Sequence, residues 1–176
     1  LTTTAAGTVS ITNGGLLTIS GAVDADGVFS QDGAGAVSVG ADITAPAMSF
    51  ASGITQSAAV IFTTDVAATT SDATFSTIDA GDFDTTFTID DEGALIVGTL
   101  SNGAAVLLTD ADTASFQAIT ATSLTSTDTT SSQLFNEALA IGGPVDLNST
   151  GTVQLASTLT TTAAGTVSIT NGGLLT

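Results

Sequence analysis

The chain has 176 residues, 43% of them hydrophobic, and its fifteen Asp and two Glu face no Lys, Arg or His, giving a formal charge of −17. That apolar content excludes a disordered acidic tail. The lack of cations excludes nucleic acid, whose phosphates need Lys or Arg, and disfavours an anionic membrane surface; with no Cys, disulfides add nothing.

Taken in chain order, apolar residues alternate with polar ones. The pairs are Val9 and Ile11, Leu17 and Ile19, Val37 and Val39, Met48 and Phe50, Val60 and Phe62. They continue with Phe87 and Ile89, Leu95 and Val97, Val106 and Leu108, Val145 and Leu147, Val153 and Leu155. A period of two is the mark of strands with one buried face. Turn signals separate them, among them Asn13-Gly14-Gly15, Asp32-Gly33, Glu92-Gly93, Asn102-Gly103 and Gly142-Gly143-Pro144. A helical spacing occurs only over Gln133 to Ile141, where Leu134, Ala138 and Ile141 share a face; one short helix or irregular coil is expected there. No apolar run reaches the roughly 18 residues of a membrane helix.

The closing eighteen residues, Leu159 to Thr176, repeat Leu1 to Thr18 (LTTTAAGTVSITNGGLLT) without a change. Folding does not require such identity, so recent duplication or a tandem array is implied. Residues 1–158 then read as one repeat unit and 159–176 as the start of the next, continuous with it. Opening on Leu and without a secretion segment, the chain reads as a window on something longer.

Strands of about five residues with short turns suit a β-sandwich, a barrel or a parallel β-helix. Eight Phe and no Trp or Tyr leave little to anchor a sandwich core. Small residues instead suit a slender solenoid in which each coil covers a narrow strip and the next coil stacks on it. The expected fold is all-β: a right-handed parallel β-helix (β-solenoid) of about eight coils per 158-residue repeat, two strand pairs to a coil of roughly 20 residues. A string of β-sandwich repeats is the alternative. At a strand spacing of about 4.8 Å, eight coils advance roughly 38 Å.

The segment Gly7 to Ala45 (GTVSITNGGLLTISGAVDADGVFSQDGAGAVSVGADITA) resembles the repeats of filamentous-haemagglutinin-type giant surface adhesins. It shares their G-x-V-x-I-x-N-x-G-x-L and G-A-V-x-V-G-x-D-I-T phrases. The resemblance is close over the first quarter of the chain and textural beyond it. It implies a right-handed parallel β-helix projecting from a bacterial cell, and it carries over no functional residue.

Chemistry is confined to carboxylates: Asp24 with Asp26; Asp79, Asp82 and Asp84; Asp90, Asp91 and Glu92; Asp110 with Asp112. Hard oxygen ligands clustered in turns are what Ca2+ takes, six to eight of them at about 2.3–2.6 Å. Asp24-Ala25-Asp26-Gly27 opens like a calcium loop but has no downstream Glu of an EF-hand. The competing reading is solvated turn residues, which Asp favours. Carboxylate pairs can hydrolyse glycosidic bonds, yet no His or Lys is present to activate a nucleophile or hold a sugar, so the chain is not expected to be an enzyme. Asn148-Ser149-Thr150 is an N-glycosylation sequon. The eight Phe are expected in core columns or at coil corners.

The function these features point to is a structural repeat of a long acidic extracellular fibre, stalk or adhesin shaft of a bacterial cell surface. Its expected partners are the preceding and following repeats and lateral copies bridged by cations. The alternatives are a calcium-dependent β-sandwich binding module and a surface-layer subunit.

Overall fold

The computed structural model describes residues 1–64, 71–90, 92–162 and 165–176, the side chains of residues 128 and 130 excepted. Among them there is no helix, and all 17 strands join one continuous hydrogen-bonded system. Every pairing is parallel, between segments about twenty residues apart. The chain is therefore a β-solenoid of about eight coils, and the sandwich alternative is overturned, because no antiparallel sheets face one another.

Each coil has three faces, with one strand or strand segment on each. The first coil holds β1 (Val9–Ile11), β2 (Leu17–Ile19) and β3 (Val23–Asp24); the second holds β4 (Phe29–Gln31), β5 (Val37–Val39) and β6 (Ile43–Ala45). The third holds β7 (Met48–Phe50), β8 (Ile54–Gln56) and β9 (Val60–Thr64). In the fourth, β10 (Ala73–Asp79) bends from the first face to the second before β11 (Thr85–Thr88) forms the third. Next comes β12 (Ala94–Phe135), 42 residues long. A straight strand of that length would span roughly 140 Å. Instead β12 wraps the axis: its start pairs with β10 and β11, and its end with β13 (Leu139–Ile141), β14 (Val145–Ser149) and β15 (Thr152–Leu155). Between these, Asp112 N donates to Gly93 O at 2.9 Å and Asn136 N to Phe116 O at 2.9 Å, which places the sixth coil within β12. β16 (Leu159–Thr161) and β17 (Val167–Asn171) complete the stack.

Register turns the period-two pattern into interior columns. Val9, Phe29, Met48, Ala73 and Leu95 align on the first face. Leu17, Val37, Ile54, Ile78 and Leu100 align on the second. Val23, Ile43, Phe62, Phe87 and Leu108 align on the third. Full burial of each Val, Leu, Ile, Met or Phe among them contributes on the order of 1.5–3 kcal/mol. Where the columns converge, phenylalanine fills the axis. Phe62 lies 4.8 Å from Phe75, 5.8 Å from Phe87 and 6.3 Å from Phe50, ring centroid to centroid. The same packing continues through Phe116 to Phe135, whose rings stack at 5.7 Å. Phe83 is the exception and is 38% exposed. No Phe precedes Phe29 or follows Phe135.

Two expectations need correction. Coils carry three strands rather than two pairs, because several inward positions are polar and hide the alternation. Gln31, Gln56, Thr85 and Gln133 are all buried. Gln31 Nε2 donates to Asn13 Oδ1 (2.6 Å) and Gly33 O (2.7 Å) while its Oε1 accepts from Ser52 N (3.1 Å), so one amide ties three coils together. The segment Gln133 to Ile141 is not a helix: it ends β12 and forms β13, with Gln133, Phe135, Leu139 and Ile141 inward and Ala138 exposed. Pairing with coils on either side satisfies its backbone, whereas a nine-residue helix is too short to be stable alone.

Candidate functional site

Strand pleating decides where the carboxylates go. In the run Val23-Asp24-Ala25-Asp26, Val23 and Ala25 point inward, so Asp24 and Asp26 are exposed on the outer surface. Asp26 Oδ2 accepts the backbone N–H of Ala5 at 2.7 Å, and Asp26 N donates to Thr3 Oγ1 at 3.1 Å. At the end of β10, Asp79 Oδ1 accepts from Asn102 Nδ2 (2.9 Å) and from Gly81 N (3.3 Å). Asp82 occupies a left-handed turn position, φ 64°, and its N–H donates to Asn102 O at 2.7 Å. Asp84 Oδ1 accepts from Ala105 N at 3.0 Å.

Further along, Asp90 Oδ2 accepts from Ser71 Oγ at 3.2 Å, and Asp90 N donates to Thr64 Oγ1 at 3.2 Å. Asp91 lies outside the described residues. Glu92 is exposed in the turn before β12. Asp110 is half-buried with φ 48°, and Asp112 Oδ1 accepts from Ser131 Oγ in the following coil.

Asp26, Asp79, Asp84, Asp90 and Asp112 share one design: the carboxylate reaches along the axis to an adjacent coil. Two residues that sequence reasoning did not single out belong to it. Asp42 Oδ1 accepts from Ile61 N at 2.8 Å and Asp72 Oδ1 from Ala94 N at 3.0 Å. With Asp84, each sits immediately before a strand and takes the N–H of the residue directly above it, since Ile43 pairs with Phe62, Ala73 with Leu95 and Thr85 with Val106. Charge-assisted hydrogen bonds of this kind are the stronger class. The local signal is an Asp just ahead of an inward strand residue; its partner becomes visible only once the coil length is known.

Among the described residues, no three acidic side chains gather at a point that could hold a metal ion. The surface also carries an open groove of about 350 Å³ across five coils of the second face, lined by Asp82, Asn102, Thr120, Thr122, Thr160 and Thr162 among others. Its chemistry is hydroxyl, amide and one carboxylate, and the sequence provides no imidazole, amine or thiol side chain anywhere. The arrangement accepts and donates hydrogen bonds along the axis and presents uncompensated negative charge outward.

Comparison with protein families, with curated proteins and with solved structures finds no match.

Proposed function

We propose that this chain is a structural repeat of a long acidic fibre, stalk or adhesin shaft on the outside of a bacterial cell. Its task is mechanical: length and resilience. The observation that carries the reading is the uninterrupted stack of parallel coils, together with the eighteen residues Leu1 to Thr18 that recur unchanged 158 residues later. Exposed edges are liabilities in a lone domain and are covered when units continue one another. The outward carboxylates hydrate the shaft and keep neighbouring shafts apart until cations screen them. Trypsin-like proteases find no Lys or Arg to cut, a property that suits an exposed surface.

Arrays of one, two and three 158-residue units test this by electron microscopy. Straight rods that lengthen by roughly 37 Å per unit are expected, from a coil spacing of about 4.8 Å. Flexible beads or flat lattices would remove the reading, the latter in favour of a surface-layer role. Calcium supplies a second check. Because axial hydrogen bonds engage Asp26, Asp79, Asp84, Asp90 and Asp112, EDTA is expected to leave the far-ultraviolet dichroism unchanged and the thermal midpoint within about 2 °C. A drop of about 10 °C or more would assign a structural cation to the turns.

A further inference from the structure

We propose that Asn148 carries an N-linked oligosaccharide, attached before its coil has folded. This rests on the fibre reading, which places the shaft outside the cell, and adds a covalent modification to it.

The chain has five Asn residues, and four of them commit the side-chain amide to the fold. Asn13 Nδ2 donates to Gly15 O (2.7 Å), Asn171 Nδ2 to Gly173 O (2.7 Å), Asn102 Nδ2 to Asp79 Oδ1 (2.9 Å) and Asn136 Nδ2 to Ser115 Oγ (3.2 Å). Asn148 is the exception. Its backbone N–H donates to Ser126 Oγ at 3.1 Å and its carbonyl accepts from Gln133 Nε2 at 2.9 Å, yet its side-chain amide bonds to none of the described residues. Asn is a poor strand former, so nothing in the packing calls for it within β14. It is also the only one of the five followed by the x-Ser/Thr spacing that N-glycosylation requires. The unused amide and the motif coincide at one residue.

The surroundings leave that amide open. Val145, Leu147 and Ser149 point inward, so Asp146, Asn148 and Thr150 are exposed on the third face. In the coil below, Ser126 pairs with Leu147 and Thr129 with Ser149, and the register shift between them leaves Asn148 without a partner residue there. A glycan joined to Nδ2 extends into solvent and breaks no contact of the fold. Asp146, two residues ahead on the same face, offers a transferase a charge by which to select the site.

The step is a group transfer from a lipid diphosphate-linked oligosaccharide. The Asn148 amide nitrogen attacks the anomeric carbon: an N–C bond forms, the C–O bond breaks with its electron pair leaving on the diphosphate, and the amide loses one proton to the transferase. The chain must bend for the Thr150 hydroxyl to reach the reacting amide, because residues two apart in a strand stand roughly 7 Å apart. In the folded coil that bend is barred. Thr150 N donates to Thr129 O at 2.9 Å and Thr150 Oγ1 turns to the same carbonyl at 3.4 Å. Transfer therefore precedes closure of the coil.

The full 176-residue chain, exported by a bacterial host that makes an oligosaccharyltransferase and its lipid-linked donor, should gain the mass of one glycan. Asn148→Gln and Thr150→Ala should abolish the gain and Thr150→Ser should keep it, with far-ultraviolet dichroism unchanged in all three. Purified folded chain given the same enzyme and donor should react about a hundredfold more slowly than chain freshly diluted from urea, because only the transiently opened strand is an acceptor. An exported chain without added mass, or with the glycan on another Asn, overturns the proposal, and so do equal rates for folded and unfolded chain. None of these outcomes touches the fibre reading, which is decided by the covalent arrays.

Discussion

Phe62→Ala is expected to lower the free energy of unfolding by about 4 kcal/mol, within the range of about 3–5 kcal/mol for removing a buried aromatic ring. Phe62 is fully buried on the third face, and its ring meets three others, at 4.8, 5.8 and 6.3 Å. Part of the loss is transfer of the ring to water. The rest is a cavity that cannot close, because Phe50, Phe75 and Phe87 are anchored in three other strands of the third and fourth coils. A solenoid couples neighbouring units only, so the damage is also expected to split the denaturation curve into two transitions. Phe83→Ala serves as the comparison: its ring is 38% exposed, and a cost of about 1 kcal/mol is expected. Equal midpoints in urea for the two variants would refute the aromatic axis as the main source of stability.

Gly98→Ala should cost about 3 kcal/mol, although it adds a single methyl group, because the nearest obstacle is backbone. A Cβ at Gly98 would stand 1.8 Å from Ser76 O and 3.0 Å from Ser76 C. Val97 pairs with Phe75 and Thr99 with Thr77, so Gly98 lies directly over Ser76 where β10 bends between faces. Relief would require the fourth and fifth coils to separate, breaking hydrogen bonds on both sides of the bend. Gly14→Ala is the control, since a Cβ there meets nothing within 4 Å. Thermal melts should place Gly14→Ala close to the native chain and Gly98→Ala well below it; the reverse order would mean that the coil spacing differs from that described.

Much of this architecture can be read from residue order. Val9 with Ile11 and Val37 with Val39 announce strands, and the scarcity of large side chains points to a thin stacked form rather than a sandwich. Other strands are harder to see. β3 holds one apolar residue, Val23, beside Asp24, and β4 places Gln31 inward beside Phe29, so alternation fades at those faces. The apparent helical face of Leu134, Ala138 and Ile141 arises because half-buried Leu134 and exposed Ala138 are apolar residues off the inward face, while polar Gln133 stands on it. The Asp residues are legible as turn formers but not as axial tethers. Asp72 meets Ala94 only because that coil has 22 residues, whereas Asp42 meets Ile61 across 19, and nothing local encodes the difference.

Confinement of phenylalanine to the stretch from Phe29 to Phe135 grades the cohesion of the chain along its axis. In an array, each junction would run through coils whose interior holds no aromatic ring, between aromatic blocks that hold more tightly. Pulled from its tip, an array of this kind would yield first at these evenly spaced seams while the blocks stay shut. It would absorb work as they part and regain its form when the tension drops.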